Sequence, residues 1–263
     1  MHFTKMHGLG NDYLYVLGEV PKNVSELSVK YSERHFGAGS DGIIYISPSK
    51  VADFKMRIFN ADGSEAKMCG NGIRCVGKYV YDKGLTDKTE LTIETLSGIK
   101  SLSLQTVYGK VKSVSVDMGY AESSNDLTIE VLDKVWTFTP VSVGNPHAVT
   151  FVDNMLDTSV ETVGKIVEKD EHFPGGVNVE FVQVLDDKTI KMRVWERGSG
   201  ITMACGTGAC ASVFACAKKG YVKKEEFITV KLDGGDLKIK ISESGKVTMN
   251  GPAEFVYEGD TIC

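Results

Sequence analysis

Apolar and polar positions alternate with a period of two through "VKSVSVDM" (111–118), "TIKMRVW" (189–195), "FITVKL" (227–232) and "LKIKIS" (237–242). That spacing predicts strands with one face buried and one face in water. Elsewhere the period lengthens. Ile73, Val76 and Val80 fall on one stripe of a helix, and Gly84 after Lys83 is a fitting stop. The stretch "GACASVFACA" (208–217) is small or apolar all round, the signature of a helix enclosed on every side. Two amphipathic helices are predicted over 25–35 and 159–169, the first opening at Ser25 and the second near Ser159.

These elements recur. Cys69-Gly70-Asn71-Gly72 and Cys205-Gly206-Thr207-Gly208 lie 136 residues apart, and Lys83-Gly84 meets Lys219-Gly220 in the same register. Phe59-Asn60 falls on Trp195-Glu196 and Gly98 on Gly234; Gly10-Asn11 matches Gly144-Asn145 at an offset of 134. The chain therefore reads as a duplicated α+β fold: strands wrapped round a central helix, built twice, with a cleft between the copies. The predicted halves are 1–117, carrying Cys69, and 118–251, carrying Cys205. The segment 252–263, which contains "AEFVYEG", is a candidate strand returning to the first half.

Composition narrows the classes. The 263 residues are 42% hydrophobic and 25% charged, the balance of a globular protein, and a net charge of −5 argues against a nucleic-acid surface. The start "MHFTKMHGLGNDY" has no basic-then-apolar leader pattern and no run reaches the length of a membrane span, so a cytoplasmic protein is expected. Six cysteines without C-x-x-C, and five histidines without ligand spacing, point to free thiols and no metal. The glycine-rich "HGLGNDY" and "GAGSDG" fit neither a dinucleotide fingerprint nor a phosphate loop. Cys75, Cys210 and Cys216 lie inside helices and read as core residues; Cys263 is terminal and reads as incidental.

Cys69 and Cys205 stand apart because each precedes a Gly-x-Gly helix start. Exposed N–H groups there suit a carboxylate, and the positive end of the helix is expected to lower a thiol's pKa. Two sulfurs flanking one carbon would stand roughly 7 Å apart, where two thiolates repel by about 2.4 kcal/mol at an effective dielectric of ~20. One ionises and the other keeps its proton. A thiolate and a thiol on opposite faces of a stereocentre can remove a proton from one side and return one on the other.

The motifs "MHGLGNDY", "FNADGSEAKMCGNGIRC", "VGNPH", "GVNVEF", "ERGSG" and "MACGTGACA", in that order along the chain, resemble the diaminopimelate epimerase family. The resemblance implies a two-domain homodimer that interconverts LL- and meso-diaminopimelate without a cofactor, in lysine and peptidoglycan precursor synthesis. It implies Cys69 and Cys205 as the acid/base pair and His147 and Glu196 as side chains tuning the thiols. It also implies Asn11, Asn60, Gly70, Asn71, Asn145, Asn178, Glu196, Arg197, Gly206 and Thr207 as substrate contacts. One departure is visible: many members carry Gln after the Asp of the "G-x-D" loop, where this chain has Gly42 after Asp41. The alternative of the same two-cysteine type is a proline or hydroxyproline racemase. Those enzymes typically place His where Asn71 stands and lead in with Asp-Arg-Ser-Pro rather than "ERGSGITMA". A phenazine-type isomerase and a thiol redox protein are disfavoured by the two cysteines and by the lack of C-x-x-C.

Overall fold

The computed structural model describes residues 1–261, so the reading of Cys263 lies outside the described residues. The chain divides into two compact units, one formed by residues 1–117 with the chain from Gly251 onward, the other by Met118–Asn250.

In the first unit the strand order is Glu254–Asp260, His2–Gly8, Asn11–Leu17, Gly42–Ser47, Phe54–Asn60, Glu90–Thr95, Gly98–Val107 and Lys110–Tyr120. In the second it is Leu127–Val131, Lys134–Ser142, Pro146–Phe151, Asn178–Asp186, Thr189–Glu196, Phe227–Leu232, Gly235–Ile241 and Lys246–Gly251. Both orders have the third and fourth strands parallel, the fifth and sixth parallel, and every other pair antiparallel. A parallel pair needs a crossover, and helices supply it at matching places. Helix α1 (Val24–Ser32) and helix α3 (Val160–Val167) join third to fourth strands; helix α2 (Gly70–Asp82) and helix α4 (Gly206–Lys218) join fifth to sixth. The fold class is the α+β duplication expected from the sequence.

The copies differ at their first strand. Leu127–Val131 is local to the second unit, whereas the first takes its counterpart, Glu254–Asp260, from the far end of the chain, paired antiparallel with His2–Gly8. Arg74, fully buried, fastens that return: its Nε donates to the Pro252 carbonyl, Nη1 to the Gly70 carbonyl and Nη2 to Asn71 Oδ1.

Helices α2 and α4 are each surrounded by strands of their own unit. Every residue of α2 from Gly70 to Val80 is buried, and Gly77 is what allows Leu102 and Leu104 to close on it, since a Cβ there would sit 2.9 Å from Leu102 Cδ2. In α4 small residues do the same: Ala209, Cys210, Ala211, Ala215 and Cys216 are all buried. Helix α3 instead buries Val160, Val163 and Val167 on one stripe against Phe138, Val179 and Phe181.

The duplication is in strict register at the helices, with Lys83 and Lys219 both closing them and Gly84 (φ 73°) and Gly220 (φ 76°) both left-handed just after. It slips by one residue beyond. Gly98, which pairs with Thr95, corresponds to Gly235, which pairs with Leu232, and not to Gly234 as the uniform offset implied. One extra residue sits between Gly220 and the next strand. Helix α1 also begins one residue earlier than expected, with Asn23 as its cap.

Candidate functional site

Each unit presents one sulfur at the start of its enclosed helix. In the first, Cys69 is the N-cap of α2 in an extended conformation (φ −138°, ψ 115°), and its Sγ accepts the Gly72 N–H at 3.3 Å. In the second, Cys205 caps α4 at φ −117°, ψ 113°, and its Sγ accepts the Gly208 N–H at 3.3 Å. A cap normally uses a side-chain oxygen for that orphan donor. Here sulfur takes the place, which aims both thiols at the positive end of a helix.

Around Cys69 the partners come from the strand Asn11–Leu17 and the loop before the strand Gly42–Ser47. The thiol donates to Asn11 Oδ1 at 3.4 Å. Asn11 is oriented in turn by Asp41, whose carboxylate accepts Asn11 Nδ2 at 2.8 Å, the Asp12 N–H at 3.0 Å and Arg34 Nη2 at 3.0 Å. Burial is the main reason the Asp41 carboxyl lies above its ordinary pKa, with the Asp12 N–H opposing it. Asn60 closes the fifth strand; its Oδ1 accepts the Tyr13 hydroxyl at 3.4 Å and its Nδ2 donates to Ser64 Oγ at 3.1 Å. Asn71 is buried with its amide oxygen bound to Arg74, so at this turn the Asn side chain braces the helix start.

Around Cys205 the set is more strongly charged. Asn145 Oδ1 lies 3.1 Å from His147 Nε2, and Asn145 Nδ2 donates to Thr207 Oγ1 at 3.4 Å. His147 Nδ1 lies 2.6 Å from Glu180 Oε1, with both side chains fully buried. Glu196, at the end of its strand, accepts the Thr202 hydroxyl. Burial raises the Glu196 carboxyl above its usual range, opposed by hydrogen bonds from Thr202 and Cys205. Asn178 accepts the Arg197 N–H at 2.9 Å and donates to the Pro146 carbonyl at 3.3 Å. The Arg197 guanidinium donates to the Gly175 carbonyl at 2.9 Å, and among the described residues no carboxylate pairs with it. The plain Glu196–Arg197 surface pair is not formed.

At Cys205 the lowering expected from the helix end is outweighed, which fits the expectation that one thiol of the pair keeps its proton. Burial first, then the carboxylates of Glu196 and Glu180, push this thiol well above its ordinary value, and the Thr207 hydroxyl and Gly208 N–H only partly offset them. Cys205 is a protonated thiol at neutral pH. The core thiols follow the same logic with no functional partner: burial pushes Cys75 up to about 11 and Cys216 up to about 12.

The fold thus sets Asn11, Gly70 and Asn71 with Cys69, and Asn145, His147, Glu196, Gly206 and Thr207 with Cys205; Asn60 is held by Tyr13 and Ser64 in the first unit, and Asn178 and Arg197 are held to each other in the second. The sequence reading missed Glu180 and Asp41. A signal for Glu180 was present: it is the acidic member of Val177–Val182, in phase with Asn178, the other polar residue of that run, on a buried strand. Among the described residues no three His, Cys, Asp or Glu side chains converge as a metal cage, and no helix is long and apolar enough to cross a membrane.

A family model described as "Diaminopimelate epimerase" matches residues 3–123 and 139–256. The chain belongs to the diaminopimelate epimerase family. A protein of that name from Methanococcus maripaludis is 53% identical over 276 aligned residues, covering 99% of both chains. Another from Acetivibrio thermocellus is 51% identical, covering 99% of this chain and 98% of the relative. Among solved structures, a probable proline racemase from Agrobacterium radiobacter superposes with a TM-score of 0.75 at 15% identity, covering 99% of this chain and 92% of that one. A phenazine biosynthesis protein of the PhzF family from Bacillus anthracis gives 0.77 at 17% identity, covering 100% and 99%. At such identities these two share the fold. The relatives near 50% identity separate this family from the racemase alternative.

Proposed function

We propose that this chain inverts one α-carbon of diaminopimelate, interconverting the LL and meso isomers by two-base proton transfer through Cys69 and Cys205 with no cofactor. The observation that carries the reading is the pair of sulfur N-caps at matched positions of a duplicated fold, in a chain about half identical to proteins named diaminopimelate epimerase. In this reading Cys69 is the usual donor and Cys205 the usual acceptor in one direction, and the roles exchange in the other. The buried, protonated state of Cys205 supports it as the thiol that delivers a proton in the opposite sense.

The helix starts have the second task. The N–H groups at Gly70-Asn71 and Gly206-Thr207 hold the carboxylate next to the reacting carbon and accept part of the charge that develops as the proton leaves. Arg197 takes a carboxylate in planar fashion, and Asn11, Asn60, Asn145 and Asn178 supply both donors and acceptors for carboxylate and ammonium. Glu196 and His147 adjust the thiols, and the hydrogen bond between Glu196 and Cys205 supports that role. The same reading makes the protein a homodimer of the cytoplasm, acting in lysine and peptidoglycan precursor synthesis.

The test is chiral chromatography after incubating the purified protein with LL-diaminopimelate and no pyridoxal phosphate. The meso isomer should accumulate to equilibrium while L-proline and hydroxyproline stay unchanged. Persistence of the LL isomer alone would remove the assignment.

A further inference from the structure

Glu180 is a buried carboxyl group that the proposed chemistry leaves unused. It is fully buried on the strand Asn178–Asp186, and its Oε2 has no hydrogen-bond partner among the described residues. Retaining a carboxylate in such a place is costly unless its partners need it. The duplication shows that the fold does not need it. The registers Leu14↔Ile43 and Ala148↔Val179 make Ile44 the counterpart of Glu180. A Cβ on Gly72 would lie 2.6 Å from Ile44 Cδ1, and a Cβ on Gly208 would lie 2.7 Å from Glu180 Oε1. One place beside the helix start therefore holds a methyl in the first copy and a carboxylate in the second. Gly208 is the residue that lets the carboxylate in.

From Glu180 a continuous chain of polar contacts runs to the sulfur. Glu180 Oε1 lies 2.6 Å from His147 Nδ1, and His147 Nε2 lies 3.1 Å from Asn145 Oδ1. Asn145 Nδ2 donates to Thr207 Oγ1 at 3.4 Å, and Thr207 Oγ1 lies 3.6 Å from Cys205 Sγ. The donors all run one way. Both ring nitrogens face acceptor oxygens, so each donates. Asn145 then has its oxygen committed to the ring and its NH₂ committed to Thr207. A hydroxyl that accepts from Asn145 is left with its own hydrogen, and the sulfur is in line to receive it.

We propose that Glu180 is a positioning residue which, through His147 and Asn145, turns the Thr207 hydroxyl onto the Cys205 sulfur. The inference rests on the acid/base assignment of Cys205 and gives that thiol a donor for its ionised form. Without the carboxylate the ring keeps one N–H, its bare Nε2 accepts from Asn145, and the amide turns over. Thr207 then donates to the amide oxygen, and the thiolate loses a hydrogen bond. The other titratable group beside Cys205 is Glu196 on the strand Thr189–Glu196. The strands Phe227–Leu232 and Gly235–Ile241, also packed on α4, turn Ile228, Val230, Leu237 and Ile239 inward and keep Lys231 and Lys238 outside.

The double variant separates the relay from a plain charge effect. Without the carboxylate the ring is neutral as well, so a charge effect is the loss of an ion pair and adds to the loss of the Thr207 hydroxyl, whereas a broken relay does not. The experiment is the rate of Cys205 alkylation by iodoacetamide across pH 7.5–9, read peptide by peptide by mass spectrometry on the full chain without substrate. Glu180→Gln should slow the reaction about tenfold at each pH, the loss expected for one hydrogen bond to a charged group. Thr207→Val should slow it similarly, and the double variant should be no slower than Thr207→Val alone. An unchanged or faster rate in Glu180→Gln, or additive slowing in the double variant, would overturn the proposal. If Glu180→Gln lacks a cooperative melting transition, Asn145→Ala alone and with Thr207→Val gives the same comparison, with the same two outcomes. Since no substrate is present, a wild-type protein that does not epimerise diaminopimelate refutes the proposed function and leaves these rates readable.

Discussion

Replacing Cys69 or Cys205 by Ala should all but abolish epimerisation, lowering turnover by about 10³–10⁴-fold in either single variant. A positioned acid or base contributes roughly 10²–10⁴-fold, and an α-proton that must leave from one face and return on the other needs both groups. Loss of either thiol stops the cycle in both directions. The fold should survive. A lost N-cap costs about 1 kcal/mol, a small part of the 5–15 kcal/mol typical of folded proteins, and the helices they cap are held by strands on several sides. Circular dichroism and a melting curve check that, and the chiral assay reads the activity. Cys75→Ala is the matched control. Its thiol is buried in α2, is held at a pKa of about 11 by burial, and belongs to the core, so turnover should stay near that of the parent.

Gly42→Ala should be among the most destabilising single-atom additions in the chain, costing about 3 kcal/mol or more and lowering Tm by roughly 6–12 °C. Gly42 has φ 153°, and a Cβ there would lie 2.1 Å from the Phe59 carbonyl oxygen and 2.9 Å from Asn60 Cα. The conflict is with backbone, on the neighbouring strand where Gly42 pairs with Asn60, so no rotamer change relieves it. Activity should fall as well, because Asp41 and Asn60 flank the clash. Gly119→Ala provides the contrast: φ is 86° but nothing lies within 4 Å of its Cβ, and the cost should be about 1 kcal/mol. A thermal melt of the two variants separates these expectations. With this backbone a Gln at position 42 would meet the same clash.

Much of the architecture was legible because it is written locally and twice. The helix caps at Cys69 and Cys205, the glycine stops at Gly84 and Gly220, and the alternation in "TIKMRVW" and "FITVKL" each depend on neighbours within a turn or a strand. Residues that depend on strand pairing were harder to see. His147 and Glu180 meet because Pro146–Phe151 runs parallel to Asn178–Asp186 with His147 opposite Asn178, and no local pattern encodes that register. The sign of the Cys205 shift was likewise invisible: a helix start argues for a lower pKa, and the burial and two carboxylates that reverse it appear once the chain is folded. The Asn71 side chain is another such case: Arg74, three residues on and fully buried, takes its amide oxygen, a contact that the turn motif does not reveal.

Two separate thiols serving one α-carbon is the claim everything else depends on, and its most direct test is epimerisation of LL-diaminopimelate in D₂O, sampled before a tenth of the substrate has turned over. With one sulfur removing the proton and the other returning a solvent-equilibrated one, the meso product should carry one deuterium at the inverted carbon while recovered LL substrate remains unlabelled. Meso product that retains the original hydrogen at that carbon would mean a single group carries the proton across, and would contradict the account.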